Sequence, residues 1–202
     1  MVRLAGAAVR CILTLAMTPE LADDLAQVEG IKADARSLVT GLSPAQFNWR
    51  PGPKRWSVAE CLDHLNSIAK VFPAIDRAIE HAERRGLRNP GPFRYGWWAR
   101  ANVRWMMPPP KFRMKTWKML LPRDGPLAVD DVLPEFLELH DQFAQRIRQA
   151  DGLDLQRAIV QSPVMRWFRL PLGAYLAFLL AHDRRHLWQA RQVLATRASA
   201  SA

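Results

Sequence analysis

The chain has 202 residues, 49% of them hydrophobic and 24% charged, with a net charge of +10. That length suits one domain, the composition excludes global disorder, and no uninterrupted apolar run reaches the roughly 18 residues of a membrane span. Two cysteines, Cys11 and Cys61, exclude a disulfide framework and point to a reducing, cytoplasmic setting.

Residues 1–17 join basic and apolar residues in a way that loosely resembles a signal peptide. Arg10 interrupts the apolar run, however, and no small-x-small cleavage site follows it. The segment is read as an extension outside the fold, with Met17 the more natural start, residues 18–196 the domain and 197–202 a tail.

The first predicted helix carries Leu21, Leu25, Val28, Ile31, Ala35, Leu38 and Leu42 at steps of three and four, one apolar stripe. Thr18 and Pro19 supply an N-cap and an N1 proline, and Ser43-Pro44 ends the pattern. The second begins at Ser57, where Ser57 and Glu60 form a capping box. Val58, Cys61, Leu62, Leu65, Ile68, Ala69, Phe72, Ile75 and Ile79 mark its inner face, and Pro73 predicts a kink near Ala69 to Phe72.

About forty residues rich in Pro, Trp and Arg follow. From Gly86 to Arg123 there is no acidic residue but nine basic ones: Arg88, Arg94, Arg100, Arg104, Lys111, Arg113, Lys115, Lys118 and Arg123. Trp97, Trp98, Trp105 and Trp117 are interleaved with them. Phe93 to Met107 can form a short helix ahead of Pro108-Pro109-Pro110, and the tryptophans are expected to cover one end of the core and wall a pocket.

A third helix is predicted over about Asp130 to Ala150, with Val132, Phe136, Leu139, Phe143 and Ile147 inward. A fourth is predicted over about Leu172 to Leu194, and no convincing strand pattern is present. Four long helices with one long connection describe an all-α four-helix bundle, whose buried sites are built from side chains on facing helices.

Three of the five histidines suit such a site. His182 and His186 stand four apart on one face of the fourth helix, and His64 lies at the edge of the second helix's inward face. If these helices are neighbours, three imidazoles can bind one divalent ion and leave a position open, as in catalytic zinc sites. His81, in the charged run from Glu80 to Arg85, is read as exposed, and His140 as a partly buried structural residue. Cys61 is read as an inert core cysteine, Glu60 as a cap first and a neighbour of the site second, and Asp63 and Asp183 as pointing to other faces.

Two longer stretches carry a family resemblance. Leu42-Ser43-Pro44-Ala45-Gln46-Phe47-Asn48-Trp49-Arg50-Pro51 with Lys54-Arg55-Trp56-Ser57-Val58-Ala59-Glu60-Cys61-Leu62-Asp63-His64-Leu65 resembles the first signature of the DinB-like (DinB/YfiT) superfamily. His182-Asp183-Arg184-Arg185-His186-Leu187-Trp188-Gln189-Ala190 resembles its second, and the resemblance spans roughly Pro19 to Leu194. It implies a four-helix bundle that holds zinc, nickel or a similar ion on His64, His182 and His186, with water completing the site. It further implies a metal-dependent transferase or isomerase using a small thiol such as bacillithiol or mycothiol, although many members have no known activity. The basic, Trp-rich middle segment is longer than the family pattern.

Two readings of function follow. One is a metal-dependent enzyme, a transferase with a thiol cosubstrate or a hydrolase, acting on a small molecule. The other is a metal-stabilised binding protein whose basic Trp-rich segment docks nucleic acid or an anionic surface. The enzyme needs an open metal position, and the binder needs exposed tryptophans beside the arginines. Specific nucleic-acid binding and a membrane span are not expected, and a homodimer is left open.

Overall fold

A computed structural model describes residues 17–110 and 115–200. It is mostly helical, as the apolar periodicity predicts. All of the expected extension, residues 1–17, except Met17, together with Lys111 and Arg113 of the basic segment, lies outside the described residues.

Helix α1 spans Pro19–Val39 and buries Leu21, Val28, Ile31, Ala35 and Leu38. Thr18 precedes it but gives no side-chain cap; its hydroxyl and amide both donate to Asp151 Oδ1, at 2.9 and 3.0 Å. The helix stops before Leu42, and Ser43 caps a short helix α2, Pro44–Phe47, through a reciprocal box with Gln46. That second box was not among the expected elements.

Helix α3, Val58–Asn66, starts at the predicted box: Ser57 Oγ accepts from the Glu60 amide at 3.1 Å, and the Glu60 carboxylate accepts from the Ser57 amide at 2.9 Å. Arg50 donates to the same carboxylate, with Nε at 2.7 Å. The predicted kink is a full break. A 3-10 turn over Ser67–Lys70 separates α3 from α4, Phe72–Arg84, where Pro73 sits in the first turn and its missing N–H costs nothing.

Helix α5, Trp97–Met106, falls inside the stretch expected to be helical. A second 3-10 turn covers Lys118–Leu120, and α6 runs Val129–Gln149 with Val132, Phe136, His140, Phe143, Ala144 and Ile147 inward. Strands β1, Ile159–Gln161, and β2, Arg169–Pro171, form an antiparallel hairpin that the sequence pattern did not disclose. Three residues per strand are too few for a period of two to register. Helix α7 runs Leu172–Ala200, past the expected end of the domain.

The core lies where α1 and α3 each pack against both α6 and α7, while α5 packs chiefly against α7. Gly173, in the first turn of α7, makes room for Tyr95, two residues before α5. A Cβ there would overlap the Tyr95 hydroxyl, which donates to Glu20 Oε1 of α1 at 2.5 Å. No helix among the described residues is long and apolar enough to cross a membrane.

Candidate metal centre

Helices α3 and α7 are neighbours, and their packing brings His64, His182 and His186 together. One ring nitrogen from each lies within 4.8 Å of the others. His64 Nε2 and His182 Nε2 are 3.2 Å apart. Two nitrogens held at about 2.0–2.1 Å by one tetrahedral ion would stand about 3.3 Å apart, so the spacing already suits shared coordination. His81 is exposed, and neither it nor His140 is among the group's members.

The three rings have the charge state a ligand needs. Burial lowers the His64 pKa, and only in part is this offset by the Leu120 carbonyl and by Asp183. Desolvation among the packed helices also lowers the His182 pKa, with His64 and Arg185 adding repulsion. Burial also lowers His186 well below the usual imidazole value, helped by His182, His64 and Arg185. All three are neutral at pH 7, with lone pairs available.

Tautomer and orientation are set by the surroundings. His64 Nδ1 lies 2.7 Å from the Leu120 carbonyl oxygen, which can only accept, so Nδ1 carries the proton and Nε2 offers its lone pair. His186 Nδ1 is buried without a hydrogen-bond partner, a polar atom whose burial is costly unless something binds it. Trp56 packs on His64 and His186 with ring centroids 4.9 and 5.6 Å away. His182 is the most exposed of the three, so the group meets solvent on its side.

The Leu120 carbonyl belongs to a strap, residues 115–128, laid along α3. Lys70 Nζ donates to the Met119 carbonyl at 2.5 Å, the Arg123 amide donates to Asp63 Oδ2 at 2.6 Å, and Arg123 Nε donates to Asp63 Oδ1 at 2.7 Å. Asn48 closes the strap with two bonds to Leu127, accepting from its amide at 2.8 Å and donating to its carbonyl at 2.9 Å. Asp63 therefore turns away from the histidines and anchors the strap. Asp183 also turns away and meets His140 Nε2 at 3.2 Å; its other oxygen is 4.0 Å from His182 Nδ1, too long for a hydrogen bond. His140 is fully buried rather than partly so, with Nδ1 donating to the Phe136 carbonyl at 2.8 Å. Cys61 is buried and its thiol pKa is raised by burial, which makes it an inert core residue.

The expected role of the middle tryptophans is corrected here. Trp97, Trp105 and Trp117 are 72%, 56% and 52% exposed, and Trp98 is 40% exposed. It is Trp56, one residue before the Ser57 cap, that covers the histidines. Trp56 stands in the first signature stretch, but nothing in its spacing announced the contact. The Leu120 carbonyl had no sequence signal at all, because a backbone group leaves none.

A family model described as DinB superfamily matches residues 27–190 of the chain. No curated protein and no solved structure matches it significantly.

Proposed function

The chain belongs to the DinB superfamily, and from that premise we propose that α1, α3, α6 and α7 form the family's four-helix bundle and hold one divalent ion, zinc or nickel, on His64, His182 and His186. We further propose that the ion serves a transferase with a small thiol cosubstrate, or a hydrolase, acting on a small molecule. The observation that carries this reading is the convergence of three neutral imidazoles, one with its tautomer fixed by a carbonyl and one with an orphaned buried nitrogen. When bound there, such an ion supplies Lewis acidity and brings a thiol or water toward ionisation at neutral pH.

The chain's own groups set the limits of the chemistry. Cys61, buried and with a raised pKa, offers no nucleophile, which favours a thiol arriving from solution. Asp63 and Asp183 are engaged by Arg123 and His140, so neither is free as a general base. Trp56 excludes water from one side of the histidines, and the His182 side is the approach for a ligand.

The test begins with metal analysis. The purified chain should carry close to one divalent ion, and His186→Ala should lose most of it, because two imidazoles leave too few ligands for tight binding. Undiminished metal in that variant would eliminate the site. A thiol-conjugation screen on the loaded protein then separates transferase from hydrolase. The exposed tryptophans favour the second reading, a docking segment, without removing the first.

A further inference from the structure

Helix α5 buries Ala99 and Met106 and turns its other side outward. At 100° per residue, Trp97, Trp98, Ala101, Arg104 and Trp105 fall within roughly 120° of arc on the side opposite those two residues. The tryptophans touch one another edge to face: Trp97 and Trp98 have ring centroids 5.8 Å apart, and Trp98 and Trp105 6.2 Å apart. Arg100 and Arg104 flank this patch, both exposed. Exposed, clustered indoles are rare on a monomer's surface and mark a binding face.

We propose that the outer face of α5 docks on an anionic lipid bilayer. Indoles prefer the headgroup level, where one end of the ring is apolar and the other meets water. A helix with aromatic residues on its outer face and arginines beside them lies in the plane of that interface. The residues from Gly86 to Lys118 carry eight positive charges and no negative one, complementary to phosphatidylserine or a similar lipid, while Arg123 beyond them is paired with Asp63 and Glu135.

Other occupants fit less well. Single-stranded nucleic acid stacks bases on free aromatic faces, whereas Trp98 has an edge-to-face neighbour in both Trp97 and Trp105. A second copy meeting this face would bring Arg100 and Arg104 of both copies into one interface, and α5 holds no acidic residue to pair with them.

The test is cosedimentation of the full chain with vesicles of phosphatidylcholine containing roughly one-third phosphatidylserine, against vesicles of phosphatidylcholine alone. Binding should be at least about tenfold stronger to the anionic vesicles and should weaken as salt rises. The double variant Trp97→Ala/Trp105→Ala should lose about tenfold or more. Arg100→Glu/Arg104→Glu should lose a similar factor, both variants melting near the parent in circular dichroism. The proposal is overturned by equal binding to both vesicle types, by no binding at low salt, or by variants that bind like the parent. It is equally overturned if single-stranded oligonucleotide is bound at physiological salt and released by the tryptophan variant, or if that variant instead abolishes a dimer. None of these readouts depends on the histidine site.

Discussion

Helices α3 and α5 are nearly equal in length, nine and ten residues, and their burial is opposite to what their compositions suggest. In α3 every residue is buried, including Glu60, Asp63 and His64; in α5 only Ala99 and Met106 are, although three of its residues are tryptophan. Burial follows neighbours rather than hydrophobicity. Helix α3 lies against α6 and α7 and is covered by the strap, and partners reach its polar residues from several directions: Arg50 after α2 to Glu60, Arg123 and the Leu120 carbonyl of the strap to Asp63 and His64, and the Val132 carbonyl of α6 to the Asn66 amide. Helix α5 has α7 on one side and solvent on the other. A buried polar residue needs a partner in place, while an apolar residue left outside needs only the absence of anything to cover it.

The sharpest way to break this contrast is through the core side of α3. Leu62 is fully buried within the main core cluster. Leu62→Ala should cost about 2–5 kcal/mol in chemical denaturation, the range for a leucine truncated in a packed core. A loss well under 1 kcal/mol would mean that α3 is loosely held and that its polar partners, not its packing, fix the histidine site.

A second prediction asks whether the rule of partnered burial holds outside α3. Asp24 of α1 is 4% exposed, and its Oδ2 has no hydrogen-bond partner. Burial, then the charges of Glu20 and Asp23, raises its pKa from 3.8 to about 7, against the pull of Arg184. An acid raised on folding is held protonated by the native state, so its contribution to stability is fully present below the unfolded value and is lost as pH rises toward about 7. Asp24→Asn should therefore be more stable than the parent at pH 8, by on the order of 1–3 kcal/mol, and the difference should close toward pH 4. Melting curves of both proteins across that range provide the check. A variant less stable than the parent at pH 8 would show that Asp24 gains more from Arg184 than burial costs it.

The same contrast explains what was legible in the sequence. The apolar stripes of α1, α6 and α7 were readable because each buries one side along many turns, and the Ser57 box was readable because both its members lie within four residues. His182 and His186 were legible as a pair for the same local reason, and His64 through the signature around it. The strap was not. Its bonds to α3 and to the segments on either side of it join residues about fifty or more positions apart, and Met119, Leu120 and Leu127 all bond through carbonyls. The tryptophans misled because an aromatic run looks alike whether the fold covers it or leaves it bare. The break between α3 and α4 was foreseen only as a kink, since Pro73 marks where a helix is disturbed without saying whether it continues.

The smallest expected effect is on the α5 side. Trp97 is 72% exposed, with the Trp98 ring beside it. Trp97→Ala removes little buried area, creates no cavity and strands no polar group, so its cost in denaturation should stay within about 0.5 kcal/mol, the usual range for a surface change. It also replaces a residue of middling helix propensity with the best helix former, which offsets part of any lost contact. Set beside Leu62→Ala, the two substitutions measure the contrast between α3 and α5 directly. A Trp97→Ala loss approaching that of Leu62→Ala would mean that α5's outer face is covered in solution. Concentration-dependent melting of the parent would then identify a second copy of the chain as the cover.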